Sequence, residues 1–242
     1  MNPIKLTEFN LPAGKSIAGK YKIISRLGSG WEGEVYKIYE IKTGIEKAAK
    51  LFYPQRNLSN KTAIKYAQKL HKLCQCSLLI QYHTQEVILF KRIPITVLIS
   101  EYVEGVLLSE FLLNFREKKL DPYKALHLLY ALAKGIEEIH LMNEYHGDLH
   151  TDNIIVKKYG LNFSLKVLDL FHYGTPRSEF LKDDLIGLIK IFFEVLGGSK
   201  NYSKHPQAIK YICCGLKKSL ILEKFKTVSQ LREHLEVFEW SF

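Results

Sequence analysis

Residues 146–153 read His-Gly-Asp-Leu-His-Thr-Asp-Asn, and Asp169 follows Asn153 by sixteen positions inside the apolar frame Val-Leu-Asp-Leu-Phe. A carboxylate can accept a proton from a hydroxyl, and carboxylate and amide oxygens are hard donors for a metal ion. Polar residues at this density continue neither a helix nor a strand pattern, so the stretch reads as a loop between apolar elements. An Asp and an Asn five positions apart are also common in ordinary turns. The order of the other motifs along the chain therefore decides what this one means.

Upstream lies Leu27-Gly28-Ser29-Gly30-Trp31-Glu32-Gly33-Glu34-Val35, after a strand-like run over 21–27. Glycines at 28, 30 and 33 let a hairpin backbone approach phosphate oxygens without a Cβ in the way. A dinucleotide-binding turn needs a helix after its third glycine. Residues 34–40, Glu-Val-Tyr-Lys-Ile-Tyr-Glu, instead alternate with a period of two and predict a strand. Lys50 closes a Lys-Ala-Ala-Lys run seventeen positions after Gly33.

Taken together, the glycine hairpin, Lys50, the H-x-D-x-x-x-x-N spacing and Asp169 resemble the protein kinase-like superfamily, in particular a minimal, atypical, bacterial-type serine/threonine protein kinase. The resemblance runs over residues 21–238. It implies an α+β, bilobal kinase-like fold: a small antiparallel β-sheet N-lobe with one helix over about 21–103, and a mostly helical C-lobe over about 104–238. An N-terminal arm (1–20) and a short tail (239–242) flank this domain.

The resemblance also implies roles and cofactors, ATP and Mg2+. Asp148 would accept the proton of the acceptor hydroxyl, Asn153 and Asp169 would hold magnesium, and Lys50 would contact the α and β phosphates. Gly28, Gly30 and Gly33 would lie over the phosphates, with Val35, Ala48 and Ile155 around the adenine. In the run Thr-Val-Leu-Ile-Ser-Glu-Tyr-Val-Glu-Gly over 96–105, the Glu101 carbonyl and the Val103 amide would bond the base edge, behind Ser100 as gatekeeper. Asp184 would anchor the backbone of the catalytic loop; as a plain sequence feature it is equally a second N-cap residue beside Asp183.

Helix signals fill the C-terminal part. Asp121-Pro122 pairs an N-cap with a proline at the first helical position. Leu126, Leu129, Leu132, Ala133, Ile136 and His140 follow at helical spacing. Asp183-Asp184 opens a second apolar-faced run that Gly197-Gly198 stops. Further helices are expected over about 207–220 and 229–237.

The composition, 47% hydrophobic and 12% aromatic over 242 residues, suffices for a sizeable core, and no repeat is evident. No apolar run reaches 18 residues and the N-terminal stretch lacks a signal-like segment, so a cytoplasmic protein without a membrane span is expected. Cys74, Cys76, Cys213 and Cys214 have neither zinc-site nor disulfide-framework spacing. A net charge of +10 and the row Lys61, Lys65, Lys69, Lys72 on one expected helix face suggest an acidic partner. No nucleic-acid module is recognisable.

Four departures from the pattern bear on function. No Asp or Glu lies between Glu46 and Glu86, and the position of the helix acid that pairs with the kinase lysine is Tyr66. Lys50 must then be held by Tyr66, Gln68, Glu34 or Glu86. Gly147 replaces the arginine that receives an activation-loop phosphate, and only fourteen residues separate Asp169 from Asp184. Phe171 replaces a glycine. His150 stands where a lysine steadies the transferred phosphate, as in aminoglycoside phosphotransferases. Three readings follow: a kinase acting on a protein substrate, an ATP-binding pseudokinase scaffold, and a small-molecule kinase of the aminoglycoside phosphotransferase type.

Overall fold

In a computed structural model of the chain, residues 5–159, 162–172 and 174–239 are described. The first four residues of the expected arm and the last three of the expected tail lie outside them. The chain divides into two compact units, residues 1–74 with 80–103, and residues 75–79 with 104–242.

The first unit is a six-stranded sheet with one α-helix. Its strands are β1 (Ser16–Ile17), β2 (Tyr21–Ser29), β3 (Gly33–Glu40), β4 (Glu46–Phe52), β5 (Tyr82–Phe90) and β6 (Ile93–Glu101), in the order β1-β2-β3-β4-β6-β5. Every neighbouring pair is antiparallel. Period-two alternation sends Tyr36, Ile38, Ala49, Leu51, Val97 and Ile99 to one buried face. The segment before Tyr21 completes that face, since Leu6, Phe9, Leu11 and Ile17 belong to the same core. Buried Glu34 secures this segment by accepting the Phe9 and Asn10 amides at 3.0 and 3.4 Å, beside Arg26 and the Tyr36 hydroxyl.

The opposite sheet face carries the candidate site residues. Val35 pairs with Lys50 and Lys50 with Leu98, while Lys37 pairs with Ala48 and Ala48 with Ser100. Directly opposed residues share a face. Helix α1 (Lys61–Lys72) is the single α-helix among the described residues of this unit. Lys61, Lys65 and Lys72 are exposed, but Lys69 is only 4% exposed. The expected basic row is therefore interrupted: Lys69 lies at the edge of the stripe, about 80° round the helix from Lys61, where packing rather than charge decides exposure.

The second unit is mostly helical, with a three-stranded sheet. That sheet consists of β7 (Val106–Leu107), β8 (Ile154–Tyr159) and β9 (Asn162–Val167) in the order β7-β8-β9. The helices are α2 (Leu108–Leu112), α3 (Pro122–Leu141), α4 (Ser178–Val195), α5 (Gly198–Tyr202), α6 (Gln207–Cys213), α7 (Lys218–Lys224) and α8 (Val228–Glu236). Asp121 caps α3 through the Lys124 amide at 2.9 Å, and α3 packs against α4 and α8.

Two helix expectations need correction. Helix α4 starts at Ser178 rather than Asp183, and the Phe180 ring of its added turn packs 4.7 Å from the Tyr145 ring. The helix expected over 207–220 is two helices, broken where Cys214, Gly215 and Leu216 take φ of 50°, 58° and 58°. Among the described residues no helix is long and apolar enough to cross a membrane.

Candidate active site

In the second unit, one buried histidine joins the loop at 146–153 to the segment at 168–171. The His146 Nδ1 accepts the Asp148 amide proton at 3.2 Å, which leaves the ring proton on Nε2 to donate to the Leu168 carbonyl at 2.8 Å. The Phe171 amide donates back to the His146 carbonyl at 2.9 Å, and the Leu168 amide to the Asn153 carbonyl at 2.8 Å. These bonds set Asp148, Asn153 and Asp169 on one scaffold.

Helix α4 supports that scaffold through Asp184, 1% exposed, whose carboxylate accepts the amides of His146 at 2.6 Å and Gly147 at 2.8 Å. It also meets His140 Nε2 at 3.0 Å. Asp184 lies in the second turn of α4, so it is not an N-cap. Gly147 has a local reason for its identity: φ is +89°, and a Cβ would stand 3.1 Å from the Tyr145 ring.

Asn153 Nδ2 donates to the Asp148 carbonyl at 2.9 Å and to Asp148 Oδ2 at 3.3 Å. With its nitrogen turned to Asp148, the amide oxygen is what Asn153 can offer a cation. Asp169 holds φ at 54°, a strained region for a side-chain-bearing residue and one that clusters at functional sites. Oxygens from one amide and one carboxylate fit magnesium in chemistry, with water and phosphate completing such sites. His150 Nδ1 accepts the Asp152 amide at 3.3 Å, and its Nε2 stands 3.6 Å from Asp148 Oδ2. That ring thus presents a proton toward the candidate base. Ile155 on β8 packs against Gly105, where a Cβ would come within 2.6 Å of Ile155 Cγ2.

In the first unit, the three glycines separate into two roles. A Cβ at Gly28 or Gly30 would meet nothing within 4 Å, whereas at Gly33 it would fall 1.9 Å from the Leu51 carbonyl oxygen. Gly33 is therefore required by the sheet itself, and the open space belongs to the other two. Lys50 Nζ donates to Glu32 Oε2 at 2.8 Å, with the Tyr66 ring 4.9 Å and the Phe52 ring 5.4 Å away. Of the expected partners, Glu34 is committed to the N-terminal segment, Glu86 pairs with Lys20 at 2.7 Å and Gln68 is exposed, while Tyr66 lies beside the ammonium. Glu32 reads in the sequence as a filler between glycines, although an acid inside a glycine-rich hairpin is itself a signal.

At the end of β6, Glu101 exchanges backbone and side-chain bonds with Gln81, its amide donating to the Gln81 carbonyl at 2.9 Å and its Oε2 accepting the Gln81 amide at 2.8 Å. Ser100 is buried and reaches the Glu101 carbonyl at 3.4 Å. Val103 is half-buried in the irregular stretch that follows.

Residues 21–175 match the family model of the protein kinase domain, and the chain belongs to that family. It is 29% identical over 201 residues to smooth-muscle myosin light chain kinase of Gallus gallus, covering 74% of this chain and 10% of that protein. It is 26% identical over 210 residues to serine/threonine-protein kinase PrkC of Bacillus subtilis, covering 76% of this chain and 31% of that one. The MAPK/MAK/MRK overlapping kinase of Homo sapiens is 26% identical over 163 residues, covering 67% and 36%. The chain thus spans between about a tenth and about a third of the length of these relatives. A crystal structure of the Mycobacterium tuberculosis PknI kinase domain covers 94% of this chain and 97% of its own, with a TM-score of 0.68 at 14% identity. A second PknI structure gives a TM-score of 0.70 over 94% and 98%. The shared architecture is the kinase fold, an antiparallel-sheet unit and a mostly helical one.

Proposed function

We propose that the chain is an ATP-dependent phosphotransferase that passes the γ-phosphoryl group of Mg-ATP to a serine or threonine hydroxyl of a protein. The observation that carries the reading is the His146 scaffold, which holds the Asp148 amide at 3.2 Å and ties Asn153 and the segment around Asp169 to the same loop through bonds at 2.8 to 2.9 Å. Phosphoryl transfer demands positioning and charge stabilisation more than covalent chemistry, so rigid placement is what such a site must supply.

In this reading Asp148 takes the hydroxyl proton, held in orientation by the Asn153 amide and facing the His150 Nε2 proton. Asn153 and Asp169 would hold magnesium, which when bound screens the phosphate charge. The first unit contributes Lys50 for the α and β phosphates, the open backbone at Gly28 and Gly30, and the Glu101 carbonyl with the Val103 amide for the base. Val35 and Ala48 in the first unit, and Ile155 in the second, are the apolar residues that the family resemblance assigns to the adenine. The four cysteines are free thiols.

A second reading, a small-molecule acceptor, is favoured by one observation: helix α4 begins at Ser178, so residues 170–177 are all that separate Asp169 from it. A segment that short offers little surface for docking a peptide. Incubation with γ-labelled ATP and magnesium separates the readings. Label on an added generic protein substrate, absent with Asp148→Ala, supports the protein kinase. ADP formation only after addition of a metabolite pool supports the small-molecule acceptor, and ATP binding without turnover supports a scaffold.

A further inference from the structure

We infer that Glu32, inside the glycine hairpin, is the positioning residue for Lys50 and takes the part of the carboxylate that helix α1 lacks. The inference rests on the phosphotransferase reading above and assigns the lysine's orientation to a residue of the phosphate-binding turn.

An ammonium on a four-carbon stem needs a partner to hold one orientation, because its free rotamers otherwise compete. Helix α1 carries no acidic residue, and Tyr66, which occupies the relevant turn, sets its ring 4.9 Å from Nζ. Glu32 supplies the charge at 2.8 Å, with side-chain exposures of 11% for Lys50 and 22% for Glu32. A pair so shielded is screened far less than one on an open surface.

The turn that carries Glu32 is itself fixed. The Glu32 carbonyl accepts the Tyr53 amide at 2.8 Å, and the Gly30 amide donates to the Gly33 carbonyl at 2.9 Å. Gly33 is locked against the Leu51 carbonyl, where no Cβ fits. On the other side of Glu32, the Trp31 ring lies under the Arg56 guanidinium at 3.6 Å. A backbone bond to one flank of β4 and a side-chain bond to Lys50 on the same strand make a closed loop of constraints. The conformation of the hairpin and the direction of the lysine are therefore set together, by one turn.

The test compares wild type, Glu32→Gln, Glu32→Ala and the double variant Glu32→Ala with Tyr66→Glu. Turnover is expected to fall about 10- to 100-fold in both single variants, the scale for loss of an outer partner that orients a functional group, at an unchanged melting temperature. Tyr66→Glu, which returns a carboxylate to the helix, is expected to recover most of that loss. Independently of activity, acetylation of Lys50 by acetic anhydride, followed by mass spectrometry, should become several-fold faster in Glu32→Gln, as the ammonium loses its ion pair. Unchanged Lys50 acetylation, or turnover within twofold of wild type in Glu32→Ala, overturns the inference. A wild-type chain that transfers no phosphate overturns the phosphotransferase reading instead, and the acetylation result still decides the pairing.

Discussion

Asp184 Oδ2 accepts the His146 amide proton at 2.6 Å, across thirty-eight positions of sequence, from a side chain 1% exposed to solvent. Two backbone donors that the tight turn at Gly147 directs inward thereby find one carboxylate, and His140 shares it. Removing the acceptor would leave buried donors unsatisfied, at about 1–3 kcal/mol each. Asp184→Ala should therefore lower unfolding stability by roughly 3 to 5 kcal/mol and abolish phosphoryl transfer. Asp184→Asn, which keeps one acceptor, should lose less of both. Urea unfolding and labelled-ATP turnover, measured on the same preparations, check this.

The glycines of the hairpin make a sharper contrast. Gly33→Ala forces a Cβ to within 1.9 Å of the Leu51 carbonyl oxygen and should cost about 3 kcal/mol of stability through overpacking against backbone. Gly28→Ala and Gly30→Ala meet nothing within 4 Å and should leave the melting temperature unchanged while weakening Mg-ATP binding. Thermal melts alongside nucleotide titrations distinguish the two behaviours.

Alkaline pH offers a test of the second unit's core. Burial pushes the Cys213 thiol up from about 9 to about 12, with the neighbouring Cys214 adding to it. The unfolded chain loses this proton first, so between those values the folded state binds more protons and stability falls as pH rises. The full effect is on the order of 4 kcal/mol at about 1.4 kcal/mol per pH unit. Stability at pH 8 is unaffected by this group, decline starts above about pH 9, and Cys213→Ala should flatten that alkaline slope in urea midpoints.

The segment after Asp169 is too short to carry a phosphorylation switch of the usual kind. Thr175→Ala and Ser178→Ala are therefore expected to keep wild-type turnover, Ser178 being the first residue of α4 and Thr175 lying just before it. Steady-state rates of the two variants, with and without prior phosphatase treatment, provide the check; a loss beyond tenfold would mean that the segment is regulated.

What the sequence made legible follows from where its signals are local. The Asp121-Pro122 cap, the alternation over 34–40 and the glycine hairpin each depend on a few adjacent residues, and each corresponds to an observed element. The break at Cys214 to Leu216 was hidden because two side-chain-bearing residues there adopt left-handed backbone, which apolar periodicity does not report. The early start of α4 depends on Phe180 packing against Tyr145, a tertiary contact with no local marker. Lys69 was misplaced for a related reason: charge alone suggested an exposed face, and its burial is decided by the helix's packing. The Lys50–Glu32 pair has no local marker either, since the two residues lie eighteen positions apart and meet only through the turn between the strands.

The most direct test of the phosphotransferase account is calorimetric titration of ATP into wild type, Asp148→Ala and Asp169→Asn, each with and without magnesium. The account predicts saturable binding to wild type that magnesium strengthens, the same binding in Asp148→Ala, and loss of the magnesium effect in Asp169→Asn. Absence of binding heat in wild type, or a magnesium effect undiminished in Asp169→Asn, would contradict it.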